Sequence, residues 1–142
     1  VYSIDVGYGV LDWKLRNDPR VIVKERLNVR NIRPTDIVHP IDFAVFDTSF
    51  ISLHTVIPPI LPFFGSTRRL MALVKPQFEL PRERVGPGGI VSNTKDQNEA
   101  VERVSMFCRQ FGLHCLGAIP APITGKKGNQ EYLLYFETGQ DG

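Results

Sequence analysis

Short apolar runs recur along the chain, and each is bounded by polar residues, glycine or proline. Short apolar runs between turn residues are typical of β-strands. Because helical segments separate several of these runs, the pattern favours an α/β domain with a largely parallel sheet. The predicted strands are Val1–Val6, Val21–Val23, Phe43–Phe46, Leu70–Val74, Leu113–Ile119 and Tyr132–Phe136.

Helical periodicity is clearest in Thr94–Phe111, where apolar residues recur three and four positions apart on one face. Thr94 and Gln97 have the spacing of a capping box, which predicts that the helix begins there. Shorter helices are predicted at Val10–Asn17 and after Ser52, which is a good N-cap residue.

Prolines and glycines interrupt two parts of the pattern. Pro58, Pro59 and Pro62 predict that the helix after Ser52 is short, kinked or interrupted. The segment Gln77–Ser92 is charged and contains a Gly-Pro-Gly-Gly sequence, so it is predicted to be a long loop. Loops longer than about 12 residues in compact domains are commonly functional or mobile.

Ionisable residues stand at the ends of several predicted strands. Asp5 and Asp47 close the first and third strands, and Lys75 ends the fourth, where Pro76 bars a further ladder bond. The carboxyl ends of parallel strands meet at one rim of a sheet, where α/β folds bind ligands. Glu131 precedes the last strand, so it reaches that rim only if this strand is antiparallel, which mixed sheets allow. The pattern therefore predicts a site at this rim.

Each of these residues also has a simpler explanation. Lys75 is suited to mark the solvated exit of its strand. Asp47 is suited to cap the helix that follows it, and Glu131 is suited to pair with Lys126 or Lys127 on the surface. Spacing alone leaves these alternatives open.

The composition is that of an ordinary soluble globular domain. The chain has 142 residues, of which 42% are hydrophobic and 23% charged, so one domain is expected. No apolar run approaches the roughly 20 residues of a membrane helix, and no secretory leader is evident. Val1 falls inside a predicted strand, so we expect the gene product to begin upstream.

The net charge is only +2, but basic residues are concentrated in Arg68–Arg84 and at Lys126–Lys127. This distribution suits a polyanionic partner, although solvated surface charge is an alternative. Cys108 and Cys115 are expected to be buried reduced thiols of a cytosolic protein. Neither these cysteines nor the histidines have metal-ligand spacing, so no metal site is predicted; the histidines are His39, His54 and His114.

Five sequence blocks in order resemble one known family over nearly all of the chain. They are VYSIDVGYGVLDWKLRNDPRV, FDTSFISL, LVKPQFE, VGPGGIV and ITGKKGNQEYL. The sequence resembles the TlyA group of the FtsJ-like RNA 2′-O-ribose methyltransferases, a group that includes proteins named haemolysin A. The resemblance implies a Rossmann-like S-adenosylmethionine-dependent methyltransferase fold, with a mostly parallel sheet and one antiparallel strand.

The resemblance also implies that residues 1–142 are a partial FtsJ-like domain, because the family's first strand and glycine-rich cofactor loop are missing from this chain. That strand is expected between the strands of Asp5 and Asp47, and direct pairing of Val1–Val6 with Phe43–Phe46 would contradict this expectation.

Family enzymes use a Lys-Asp-Lys-Glu tetrad, and Asp47, Lys75 and Glu131 match its second, third and fourth members. The first lysine has no counterpart here. For the cofactor, Asp5 matches the acid that holds the ribose hydroxyls, and Asn28 lies in the segment that borders the adenine. Asp47 is expected to face the sulfonium.

These residue types suit the chemistry that the resemblance implies. A ribose 2′-hydroxyl is a poor nucleophile until its proton is removed, so a positioned base is needed near the methyl donor. Burial favours a neutral lysine that serves as this base, whereas neighbouring acids oppose it. Lys75 is therefore expected to be the base or the orienter of the hydroxyl, with Glu131 as its positioner.

The resemblance thus implies methylation of ribosomal RNA in the cytoplasm, with the ribosomal RNA or subunit as partner and no insertion into a membrane. Three alternatives stay open at this point. The first is a non-catalytic RNA- or ribosome-binding module. A pore-forming haemolysin and a nicotinamide-binding domain fit less well, since no membrane-spanning run and no phosphate-binding glycine fingerprint is evident.

Overall fold

The computed structural model describes residues 1–5, 9, 11–125 and 127–138. A strand occurs at each of the six predicted places, with ends that differ from the prediction by at most two residues. Val6 and Val10, which close the first predicted strand and begin the first predicted helix, lie outside the described residues. The strands are β1 (Tyr2–Ile4), β2 (Ile22–Lys24), β3 (Ala44–Phe46), β4 (Arg69–Val74), β5 (Leu113–Pro120) and β6 (Tyr132–Thr138).

Four α-helices occur in the described part of the chain, and the longest lies where the apolar periodicity predicts it. They are α1 (Trp13–Arg16), α2 (Leu53–Val56), α3 (Pro76–Glu79) and α4 (Thr94–Arg109). Ser52 is the N-cap of α2 as predicted, because its hydroxyl accepts a hydrogen bond from the His54 amide at 3.1 Å. The prediction of a short or interrupted helix is confirmed, because α2 has only four residues and the chain continues from it as a 3₁₀-helix over Pro58–Phe63.

The main sheet has four strands in the order β3-β4-β6-β5. β3 and β4 are parallel, whereas β6 runs antiparallel to both of its neighbours. The prediction of a mixed sheet with one reversed strand is therefore confirmed. The register pairs Val74 with Tyr132, so the carboxyl end of β4 lies beside the start of β6.

β1 and β2 form a separate parallel pair, in which Tyr2 lies opposite Ile22. Within the described residues β1 is not hydrogen-bonded to β3, so the pairing that would contradict an intervening strand is not found. The intervening strand stays a prediction.

The core is formed by one face of the main sheet and by α4, together with buried residues of α2 and the 3₁₀-helix that follows it. In β4 the alternate residues Leu70, Ala72 and Val74 are fully buried, and Leu134 and Phe136 of β6 are buried beside them. On α4 the face that meets the sheet carries the buried residues Ala100, Val104 and Cys108. Phe111 is not part of this face, because α4 ends at Arg109 and the ring is 37% exposed.

The N-terminus of α4 differs from the predicted capping box. Asn93, not Thr94, is the N-cap, and its Oδ1 accepts from the Lys95 amide at 2.8 Å. The Gln97 side chain is engaged elsewhere, because its amide donates to the Val91 carbonyl at 2.9 Å and its oxygen accepts from the Tyr132 hydroxyl at 3.0 Å.

We expect Asn93→Ala to lower the free energy of unfolding by about 1 kcal/mol, because it removes the cap and leaves the Lys95 amide without that partner. Urea unfolding is the measurement. Ser92→Ala is the matched control, since Ser92 is exposed next to the cap, and it is expected to unfold like the wild type. An equal decrease of the free energy of unfolding in both variants would show that the Asn93 cap does not stabilise the helix specifically.

The segment after β4 is more ordered than the predicted long loop. Pro76, expected only to end the strand, begins α3, because proline is well suited to the first helical position. Short 3₁₀ turns follow at Arg82–Arg84 and Pro87–Gly89. Arg84 forms ion pairs with Asp96 and Glu99 of α4, which attach this segment to the helix.

The two cysteines differ in environment. Cys108 is buried and Cys115 only half-buried, so the expectation of burial holds for the first alone. Burial raises the pKa of the Cys108 thiol to about 12. At pH 8 we therefore expect iodoacetamide to alkylate Cys115 and to leave Cys108 unmodified in the folded protein, because the thiolate is the reactive form. Mass spectrometry of the peptides measures both sites, and equal labelling of the native protein would contradict the expectation.

Candidate active site

Asp47 and Lys75 meet at the carboxyl ends of two adjacent parallel strands. Asp47 directly follows β3 and Lys75 directly follows β4, so the strand pairing brings the two loops together. The Lys75 Nζ lies 2.8 Å from Asp47 Oδ1. The Lys75 side chain is only 12% exposed, which contradicts the simple explanation of a solvated strand exit.

Ser49 is a second partner of the lysine and was not predicted. The Lys75 Nζ donates to the Ser49 Oγ at 3.0 Å. A lysine nitrogen has three substituent positions beyond its side-chain carbon, and these two contacts fix two of them. The third is thereby given a defined direction. It holds an N–H in the charged form and the lone pair in the neutral form.

Asp47 does not cap the helix that follows it. The N-cap of α2 is Ser52, so the alternative explanation of Asp47 is wrong. Its side chain is 65% exposed and carries one carboxylate oxygen toward Lys75. The carboxylate therefore holds the lysine while facing open space beyond the sheet rim.

Glu131 reaches the same rim because β6 is antiparallel. Val74 pairs with Tyr132, and one further step in this register sets Glu131 opposite Lys75. Glu131 is buried, with 7% exposure, and its Oε2 accepts from the Gln77 amide at 3.4 Å. The other amide atom, Gln77 Oε1, is buried and has no hydrogen-bond partner within the described part of the chain.

The alternative explanation of Glu131 was an ion pair with Lys126 or Lys127 on the surface. Among the described residues no ion pair joins Glu131 to Lys127. Lys126 lies outside those residues. The backbone instead approaches the carboxylate closely at Gly125. A Cβ on Gly125 would lie 2.5 Å from Glu131 Oε2, so a side chain there would displace the carboxylate.

Asn129 joins the segment before β6 to the glycine-rich segment before α4. Its side chain is buried, and its Oδ1 accepts from the Val91 amide at 2.9 Å. Its Nδ2 donates to the Gly89 carbonyl, also at 2.9 Å. Both ends of the amide are used, so Asn129 fixes the chain two residues before Glu131.

Phe50 is an exposed aromatic residue that directly follows Ser49, the second partner of the lysine. Its ring is 90% exposed, and its φ of 63° is in the left-handed region, which is unusual for a bulky residue. The ring centroid lies 5.1 Å from that of Phe78, at an interplanar angle of 49°. Such backbone conformations occur preferentially at functional sites. The sequence carries one signal for Phe50, which is its place three residues after Asp47.

The predicted cofactor residues other than Asp47 follow the two strands of the smaller sheet. Asp5 follows β1 and is exposed, and its backbone is bonded on both sides: its amide donates to the Lys24 carbonyl at 3.1 Å and its carbonyl accepts from Leu27 at 3.0 Å. The Asn28 Oδ1 caps the next turn by accepting from the Arg30 amide at 3.0 Å. The structure thus joins Asp47 with Lys75, whereas Asp5 and Asn28 lie in the segments that follow β1 and β2.

No group of three or more potential metal ligands occurs in the part of the chain that the structure describes. None of its helices there has both the length and the apolar character needed to cross a membrane.

The sequence pattern of the FtsJ-like methyltransferases matches residues 1–138. The chain belongs to the FtsJ-like methyltransferase family. Similar proteins include the 16S/23S rRNA (cytidine-2′-O)-methyltransferase TlyA of Mycobacterium tuberculosis, which is 43% identical over 99% of this chain and 53% of its own length. Hemolysin A of Brachyspira hyodysenteriae is 36% identical over 96% of this chain and 57% of its own length.

Two solved structures have the same fold as this chain. A candidate hemolysin from Streptococcus thermophilus superposes with a TM-score of 0.93 at 38% identity, covering 99% of this chain and 51% of that chain. A second, from Lactococcus lactis, has a TM-score of 0.92 at 38% identity and covers 98% of this chain and 67% of that chain. The chain spans about half the length of the TlyA and Hemolysin A relatives described above.

Proposed function

We propose that the protein containing this chain transfers a methyl group from S-adenosylmethionine to a ribose 2′-hydroxyl of ribosomal RNA. The observation that carries the proposal is the Lys75 amine, which is held by Asp47 and Ser49. The register of β4 and β6 sets the buried Glu131 opposite this lysine. Membership of the FtsJ-like family and the rRNA methyltransferase named among the relatives support it. The proposed substrate implies that the protein acts in the cytoplasm.

The residues present fit the cofactor by their chemistry. Asp5 offers an exposed carboxylate at the carboxyl end of a parallel strand, which suits a pair of ribose hydroxyls. Asn28 caps a turn with its oxygen, which leaves its amide hydrogens to face an adenine ring. The Asp47 carboxylate is exposed toward the same side as its lysine and suits a sulfonium. Bound S-adenosylmethionine supplies an electrophilic methyl group.

The protein's own part is to position and deprotonate the hydroxyl. The third substituent position of the Lys75 nitrogen points away from Asp47 and Ser49, toward the space that a ribose would occupy. In the neutral form the lone pair takes the hydroxyl proton, and in the charged form an N–H orients the oxygen. Glu131, held by Gln77, lies beside the lysine and completes the polar lining.

Phe50 is proposed to stack on the base of the target nucleotide. RNA is commonly bound through unstacked bases that lie on aromatic rings, and every base has a face suited to this contact. The ring is exposed, is supported from behind by Phe78 and follows Asp47 closely in the chain. A base held there would keep its ribose near Lys75.

We expect Phe50→Ala in the full-length protein to raise the KM for RNA on the order of ten-fold, because base–aromatic stacking contributes about 1–3 kcal/mol. Phe50→Trp is expected to retain most of the affinity, since it preserves the aromatic face. Steady-state kinetics with ribosomal RNA is the measurement, and Met106→Ala, at an exposed apolar residue of α4, is the control. An unchanged KM in Phe50→Ala would exclude the stacking role.

A non-catalytic RNA-binding module is the second candidate, favoured by the basic residues after β4. Calorimetry with S-adenosylmethionine on the full-length protein separates the two. Binding of the cofactor together with methyl transfer to ribosomal RNA supports the enzyme, whereas RNA binding without cofactor binding supports the module.

A further inference from the structure

Two segments run side by side beyond the ends of β3 and β4. The first covers 47–53 and the second covers 75–79, and they touch at three successive levels. Lys75 bonds Asp47 and Ser49 at the first level, and Phe78 supports Phe50 at the second. The third level is made by Glu79, which joins Ser52 and Leu53.

Glu79 makes this third contact with a buried carboxylate. Its Oε2 accepts from the Ser52 hydroxyl at 2.6 Å, and its Oε1 accepts from the Leu53 amide at 2.9 Å. His54 Nδ1 lies 3.5 Å from the same Oε2, and the side chain of Glu79 is only 2% exposed. A buried acid is costly unless it is hydrogen-bonded, so these donors are needed for it to be there.

The hydrogen bonds of Glu79 connect it to the segment 47–53, which carries Asp47 and Phe50. Burial raises the pKa of the Glu79 carboxyl, while the bonds from Leu53 and Ser52 act in the opposite direction. Two of its partners, Ser52 and the Leu53 amide, form the first turn of α2, which follows the segment that carries Asp47 and Phe50. An apolar residue would fill the same volume but would not fix that turn relative to α3.

We propose that Glu79 is a positioning residue, which locks 47–53 against 75–79 and thereby sets Lys75 and Phe50 for the substrate. The proposal rests on the proposed methyltransferase function for its kinetic consequences. Its structural consequence, the restraint on Lys75, does not depend on activity.

The first test needs no activity. In the full-length protein, Glu79→Gln and Ser52→Ala are expected to raise the rate of Lys75 modification by an amine-reactive ester, measured by peptide mass spectrometry, about ten-fold. Lys14, an exposed lysine of α1, is the internal reference. Glu102→Gln, at an exposed position on α4, is the matched control and is expected to label like the wild type.

The second test uses methyl transfer. Glu79→Gln and Ser52→Ala are expected to lower kcat about ten-fold while the affinity for S-adenosylmethionine, measured by calorimetry, stays at the wild-type value. Glu79→Ala is expected to lower kcat further than Glu79→Gln does, because glutamine keeps an acceptor for the Leu53 amide.

The outcomes separate the two ideas. A wild-type protein without methyl transfer would overturn the proposed function, while the labelling still tests the positioning role. If Ser52→Ala and Glu79→Gln lower only the melting temperature and leave Lys75 labelling and kcat unchanged, Glu79 is structural and the inference is wrong. Ser52→Ala keeps the test usable if Glu79→Gln does not fold, because it leaves the carboxylate in place.

Discussion

Lys75→Ala is expected to reduce methyl transfer to ribosomal RNA by about 10²- to 10⁴-fold in the full-length protein, which is the range of a positioned acid–base group. The side chain leaves from the end of β4 and points away from the buried residues of that strand, so the fold should survive. Its loss removes the group that is proposed to deprotonate or to orient the hydroxyl. Transfer of a labelled methyl group to RNA measures the rate, and circular dichroism checks the fold.

Lys95→Ala is the control for the loss of a positive charge, since Lys95 is exposed in the first turn of α4. It is expected to leave kcat unchanged. If Lys75→Ala retains wild-type activity with the fold intact, the assignment of Lys75 is wrong. If binding of S-adenosylmethionine and methyl transfer persist in that variant, another group must deprotonate the hydroxyl.

Gly125→Ala is expected to lower kcat by about 10²-fold while changing the free energy of unfolding by less than about 1 kcal/mol. The added Cβ would lie 2.5 Å from Glu131 Oε2 and 3.2 Å from its Cδ. The obstacle is the end of a flexible side chain, so the carboxylate moves and the backbone need not. A displacement of about 1 Å in a catalytic constellation costs on the order of 10²-fold in rate.

Gly117→Ala provides the matched control. A Cβ at Gly117 meets nothing within 4 Å, so this substitution adds the same methyl group to β5 without a collision. Both variants should unfold like the wild type in urea, and only Gly125→Ala should lose activity. Equal activity of the two variants would contradict the proposed role of Glu131.

Local patterns were sufficient to predict the strands and the longest helix. Apolar runs predict strands because their burial decides the fold, and each of the six runs is a strand. The start of α3 is not predictable from Pro76 alone, because proline is disfavoured in a continuing ladder and also favoured at the first helical position. Asn93 was missed as a cap because Thr94 has the same capping chemistry one residue later.

The site was predictable only where a strand end determines it. Asp47 and Lys75 follow adjacent strands, and Glu131 follows from the antiparallel register of β6. The supporting contacts arise between segments distant in the chain, so no local pattern contains them. In the sequence, Gln77 and Glu131 are 54 positions apart, Asn129 and Gly89 are 40 apart, and Glu79 and Leu53 are 26 apart.

The strand order has a consequence for synthesis of the protein. β6 is later in the chain than β5, yet it lies between β4 and β5 and is hydrogen-bonded to both. A nascent chain that ends before Tyr132 therefore leaves β4 and β5 with no strand to join them, and it lacks the buried Leu134 and Phe136. Lys75 is translated more than 50 residues before its register partner Glu131. In this topology the four-stranded sheet and the candidate site are both completed only when the segment that contains Glu131 and β6 has been synthesised.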